Sequence, residues 1–254
     1  MPASVSAKDA QGRTALDLAR KLEYAEGTAL LEHPEQVIRD YRASRFAWNA
    51  SQEPIEWIDL SDVPKKRQSE VTAASHVQMK RIQALLKEDP RLIFAVSSDD
   101  ELAIEACAHV GNALIMQLHL DHGAPLSLPT AVSMGNLEAM QWMLDQDEQL
   151  IFERGAHDFP LMWYVVMGTG SPEVAACLHS YGVDLDQESV GTTLLHHSVR
   201  RGRTELVEWL IENGASPEAL SYSWDENGQT PLQLARIHEQ AAVIQLLKAA
   251  GAPG

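Results

Sequence analysis

The chain has 254 residues and a mass of 28.0 kDa, enough for one large or two modest domains around a sizeable core. Its 45% hydrophobic and 22% charged residues fit an ordinary soluble globular protein. No apolar run approaches the roughly 18 residues of a membrane span, and no basic-then-apolar leader opens the sequence. The 2 cysteines, Cys107 and Cys177, exclude a disulfide framework or a cysteine-based zinc module and point to a reducing, cytoplasmic setting. Charge is more informative. Lys and Arg total 20 against 36 Asp and Glu, a net −16. From Asp99 to Glu188, fifteen acidic residues face a single basic one, Arg154. That stretch repels duplexes and anionic membranes, which excludes nucleic acid and membrane as partners. A basic or mixed partner surface, a cationic ligand, or solubility alone would account for it.

Taken in order, residues 1–32 form a first helical unit opening at Asp9-Ala-Gln-Gly-Arg-Thr-Ala-Leu-Asp-Leu-Ala19. Residues 33–68 break the pattern. From Pro34 to Trp48, Val37, Ile38, Tyr41 and Arg45 recur as on one face of an amphipathic helix. Beyond it, residues 49–68 hold Pro54, Pro64 and an acidic-aromatic patch around Trp57, an irregular connection expected to pack over a repeat face or cap an end. Pro64-Lys-Lys-Arg67 reads as a solvated helix start. From 69 to 254 short helical patterns recur in pairs around glycine turns. Met79–Leu86 is one second helix. Leu102–Val110 and Ala113–Leu120 flank Gly111 and close at His122-Gly-Ala124. Gly135–Leu144 and Val174–His179 follow. The clearest units are Gly191–Gly202 with Thr204–Ala215, and Asp225–Arg236 with Val243–Ala252. The turn glycines Gly111, Gly135, Gly170 and Gly202 are spaced 24, 35 and 32 residues apart, around a period of about 33.

These segments resemble ankyrin repeats. The family's Thr-Pro-Leu-His core stands as Thr193-Leu194-Leu195-His196 and Thr230-Pro231-Leu232-Gln233, and its leucine pair before Gly-Ala as Leu210-Ile211 and Leu246-Leu247. The resemblance implies an all-α solenoid of about seven units with short β-hairpin fingers, interrupted by the helical insert at 33–68. The 24-residue step between Gly111 and Gly135 leaves no room for a finger, because Gly123-Ala124-Pro125 runs directly into the next helix. Conversely, the finger at 215–225, with Tyr222 and Trp224, is longer than its neighbours.

By repeat position, Trp142, Trp209, Leu118, Cys177 and Trp163 are expected to pack, and Tyr164 to contact neighbouring backbone. His196 occupies the family's structural histidine slot. His119 and His179 fall in leucine slots as buried neutral rings, and His122 caps a helix end. His119 and His122 lack the i, i+4 spacing that places two ligands on one helix face, so no metal is expected. The core positions also take most of the methionines, Met134 excepted.

The resemblance further implies protein–protein recognition through a concave face, by a monomer, with no reaction and no cofactor. Carried over residue by residue, that face comprises His76, His109, Met134, His157, Asp158, Thr169, Arg200, Arg201, Tyr222, Trp224 and His238. The alternative is a small-molecule site or an enzyme using His109, His157, Asp158 and Tyr164 as acid–base groups, in a groove closed by the 33–68 insert. No phosphate loop, Gly-x-Ser-x-Gly or His-Glu-x-x-His motif supports catalysis.

Overall fold

The computed structural model describes residues 13–32, 48–98, 101–189, 191–223 and 228–253. The chain falls into two compact units, 1–47 and 48–254. In the first, α1 (Ala15–Lys21) turns into α2 (Ala25–Glu32). A capping box starts α1: the Thr14 hydroxyl accepts from the Asp17 amide at 3.2 Å, and the Asp17 carboxylate accepts from the Thr14 amide at 2.8 Å. The amphipathic helix expected from Pro34 lies outside the described residues, apart from its last residue, Trp48.

The second unit is a row of helix pairs: α3 (Lys65–Ser75) with α4 (Met79–Glu88), and α5 (Ala103–Val110) with α6 (Ala113–Asp121). Next come α7 (Leu128–Met134) with α8 (Leu137–Gln146), and α9 (Leu161–Met167) with α10 (Pro172–Ser180). The row ends with α11 (Leu194–Arg200) and α12 (Thr204–Glu212), then α13 (Pro231–Ile237) and α14 (Ala241–Ala249). Each first helix packs on the next, α3 to α5 and so on to α13. A helix covered by neighbours on both sides can be apolar nearly all round. Accordingly Ala103, Ile104, Ala106, Cys107 and Ala108 of α5 are all fully buried. Second helices bury one stripe, as with Ile82, Leu85 and Leu86 of α4. Burial pushes the Cys107 thiol pKa far up, so this cysteine is inert.

The last carbonyls of a helix lack partners within it. Here the following repeat supplies them. Asn112, Arg203 and Gln240, which open α6, α12 and α14, each reach back to the preceding first helix. Asn112 Nδ2 donates to the His76 carbonyl at 3.2 Å and Gln240 Nε2 to that of Val199 at 2.6 Å. The Arg203 guanidinium donates to the carbonyls of Val166, Gly168 and Thr169 at the end of α9.

Fingers join successive pairs. Among the described residues they are marked by bridges Val96–Leu102, Arg154–Pro160 and Ser189–Thr192. The long finger is closed by Ser221 N–H donating to the Gln229 carbonyl at 2.9 Å. Between α6 and α7 the chain runs straight from Gly123 to Leu128 with no finger, as the 24-residue spacing requires. That edge is taken by residues 48–64. Leu126 N–H donates to the Trp48 carbonyl at 2.8 Å, the Trp48 ring stands edge-on to Trp142 at 4.9 Å, and Trp57 meets Phe94 at 5.7 Å. The first helix of the array starts at Lys65, directly after Pro64.

Of the second-helix residues expected to pack or to be buried, only His179 needs correcting. Trp142, Trp209, Leu118 and Cys177 are half-buried at the rim of the second helices, because only one side of that layer is covered. His179 is exposed on α10, with its Nδ1 3.2 Å from the Val183 carbonyl. His119, by contrast, is fully buried, with its Nε2 2.9 Å from Ser75 Oγ. Met116, Met140, Met143 and Met162 are core residues.

Candidate functional site: a histidine–carboxylate cluster and ring row on the inner face

Glu101 stands on the return arm of the finger at 96–102. Its amide donates to Ser97 Oγ at 3.1 Å, and the Ser97 amide donates to the Glu101 carbonyl at 2.8 Å. The arm leads straight into α5, which turns the carboxylate inward, where its side chain is only 6% exposed. The end of that same helix brings His109 Nδ1 to 2.9 Å from Glu101 Oε1. Despite the short distance, neither atom has a hydrogen bond of acceptable angle. His76, at the end of α3, completes a group whose potential donor atoms all lie within 4.8 Å of one another. Its Nδ1 is 3.2 Å from the carbonyls of Thr72 and Ala73, which makes Nδ1 the protonated nitrogen and leaves Nε2 with a lone pair.

His157 arrives from further along the chain. The finger that would stand between those at 96–102 and 154–160 is the missing one, so these two become neighbours. His157 Nε2 lies 3.5 Å from Glu101 Oε1, and the rings of His76, His109 and His157 follow one another edge to face at 4.9 Å each. The tip is strained: His157 and Asp158 have φ of 57° and 61°, a left-handed backbone that costs energy for residues with a Cβ. Arg154 holds it, with Nε donating to the Asp158 carbonyl at 2.9 Å and to its carboxylate at 2.7 Å.

From His157 a row of rings continues toward the C-terminal repeats. Phe159 stacks on Trp163 at 4.2 Å and 8°, and Trp163 meets His197 edge-on at 4.5 Å. The Trp163 indole N–H donates to the His109 carbonyl at 3.1 Å. Beyond the rings stand Arg200, Arg201 and Arg203. Partial burial first, then the like charges of Arg203 and Arg200, lower the pKa of Arg201. Its guanidinium lies 3.0 Å from the Met167 sulfur.

Repeated helix pairs, stacked first helices and hairpin fingers are accompanied by a match to the family model described as ankyrin repeats, over residues 128–220 and 161–253. The chain belongs to the ankyrin repeat family. Among solved structures, an ankyrin repeat domain from Acinetobacter baumannii AYE is similar at 21% identity, covering 73% of this chain and 100% of its own, with a TM-score of 0.44. No curated protein matches.

Within this ankyrin array the residues expected on the inner face divide. His76, His109 and His157 come together. Asp158 turns away to Arg154. Tyr164 is fully buried, its hydroxyl against Gly155 where any Cβ would collide, so it belongs to the core rather than to an acid–base site. Met134 and Arg200 are half-buried, while Thr169, Arg201, Tyr222 and His238 are exposed. Trp224 lies outside the described residues. Trp163, expected in the core, is half-buried, its ring stacked on Phe159. The sequence reading also missed Glu101, Phe159 and His197. One signal could have found Glu101: Asp-x-x-Leu-Ile-Phe occurs at both 89–94 and 147–152, which sets the finger at 96–102 in register with that at 154–160. The expectation of no metal rested on pairs along a single helix. His76, Glu101 and His109 stand on separate segments, a juxtaposition that spacing within one helix does not reveal.

Proposed function

We propose that this ankyrin repeat protein recognises a protein partner through the inner face of residues 48–254. Ankyrin repeats are in general protein-interaction modules, and the chain has the repeats. The observation that carries the assignment to this face is the half-buried stacked pair Phe159 and Trp163, backed from within by the buried His197 ring, with the exposed Arg201 beyond it. Together they present stacked rings and a guanidinium at the finger and first-helix ends. Aromatic and arginine side chains held in place by packing lose little entropy on binding, which is why they concentrate binding energy. The surface is electrically divided. The stretch 99–188 is acidic, whereas Arg200, Arg201 and Arg203 form a cationic end. A partner of mixed charge fits, with basic groups toward His157 and an acidic group at Arg200 and Arg201.

The test is affinity capture from a lysate of the source organism, on immobilised wild-type chain and on W163A and R200A/R201A, with proteins identified by mass spectrometry. The proposal expects a protein retained by the wild type and lost, by about tenfold or more, from both variants. Equal retention by all three chains would reject the face.

A further inference from the structure

We propose that His76, Glu101, His109 and His157 form a binding site for a divalent transition-metal ion, with zinc the best match. Three observations lead there. First, Glu101 is a buried carboxylate, 6% exposed, whose Oε1 has no hydrogen bond of acceptable angle. A buried charge is expensive unless strongly partnered, and a nearby cation is its most effective partner. Second, the donor atoms are already gathered: those of His76, Glu101 and His109 fall within 4.8 Å of one another, and His157 Nε2 is 3.5 Å from Glu101 Oε1. Bonds of about 2.0–2.1 Å around a tetrahedral zinc separate its donors by roughly 3.3–3.5 Å. The 2.9 Å gap between Glu101 and His109 therefore has to open by about half an ångström, and no larger movement is required of that pair. Third, His76 carries the support that metal-binding imidazoles normally have. Its Nδ1–H is directed at the carbonyls of Thr72 and Ala73, which fixes the ring and the free Nε2.

The donor chemistry selects the ion. Imidazole nitrogens with one carboxylate suit zinc, cobalt or nickel, whereas calcium and magnesium require mostly oxygen. The pieces come from four segments of the array. The ends of α3 and α5 supply His76 and His109, one finger supplies Glu101, and the next finger present supplies His157. His76, Glu101 and His109 make a three-ligand base, and His157, half exposed on its strained tip, closes the fourth position. An ion there would tie together two fingers that the absent one leaves side by side.

The experiment uses the full 254-residue chain, stripped with a chelator and dialysed against zinc or cobalt. Metal per chain is measured after gel filtration, and the cobalt form is examined by visible absorption. One tightly held equivalent is expected, with the intense visible bands of four-coordinate cobalt. E101Q and H109A should lose it. H157A should weaken binding by at least the ~10–100-fold that loss of an outer-sphere partner costs. Circular dichroism checks folding. If H109A fails to fold, E101Q, nearly isosteric, and H157A, at an exposed tip, still decide. H122A, at an exposed histidine elsewhere, should leave the equivalent in place. Absence of a retained ion, or retention unaffected by E101Q and H157A, would overturn the site and leave a buried histidine–carboxylate pair. Neither outcome bears on partner capture by Trp163 and the arginines.

Discussion

The C-terminal repeats and the middle ones use histidine in opposite ways. In α11, His196 has both ring nitrogens engaged: Nδ1 with Thr193 Oγ1 at 2.8 Å and Nε2 with the Gln229 carbonyl at 3.1 Å. It ties one finger to the next, the role that the family motif implies. Around α5 the histidines lie outside that slot, and His109 meets a carboxylate instead of a backbone group. The regular repeats spend their polar groups on holding neighbours together. The degenerate repeats, having lost a finger, bring side chains from non-adjacent units within reach of one another. Departure from the motif thus marks the chemically unusual part of the array.

The largest expected effect probes how tightly the degenerate part is packed. A Cβ at Gly168 would lie 1.9 Å from the Ser133 carbonyl oxygen, so α7 and α9 would have to separate. Gly168→Ala should cost more than about 3 kcal/mol. At Gly202, in the regular part, the nearest atom is 3.8 Å away and only the left-handed φ of +65° opposes a side chain. Gly202→Ala should cost about 1 kcal/mol. Urea unfolding midpoints measure both, and equal shifts would erase the packing difference.

Acid provides the next test. Burial lowers the pKa of His119, in the middle, and of His197, in the regular part, to about 4. The unfolded chain takes up these protons near pH 6.5 and the folded chain does not. Stability is therefore intact at neutral pH and declines as pH falls from about 6.5 to about 4, by an order of 3 kcal/mol for each ring. His119→Leu should remove about half of this slope in unfolding free energy between pH 7 and pH 4.5; an unchanged slope would refute the assignment. His196→Ala should cost about 2 kcal/mol, since it strands two polar partners. The urea midpoint measures it, and an unshifted midpoint would rule out the staple. The smallest effect is expected at Arg81. Its pair with Glu70 is solvent-exposed, and Arg81→Ala should leave the midpoint unmoved.

Much of the fold was legible because it is written in local signals. Thr230-Pro-Leu-Gln233 carries a capping box and Thr193-Leu-Leu-His196 a buried Thr–His contact in a few adjacent residues, and the short Gly111–Gly135 step alone accounts for the missing finger. The site was legible only in part. His76, His109 and His157 followed from their places in the repeat. Glu101 did not, because its importance comes from the missing finger's effect on residues more than fifty positions away. Trp163 occupies a core slot of the motif yet is only half-buried, since Phe159 gives its ring a flat partner there. Tyr164, placed by its repeat position against neighbouring backbone, lies in the core, because Gly155 leaves room for its hydroxyl.

Asn112, Arg203 and Gln240 all point the same way, from a later repeat to an earlier one. The row therefore has a polarity: each of these helix ends is finished by its successor, never by its predecessor. A chain cut back from its C-terminus loses the group that completes the new last repeat, whereas trimming from the other end strips no such cap. On the ribosome, where synthesis runs from the first repeat to the last, α3, α9 and α11 each stay open-ended until the next pair emerges.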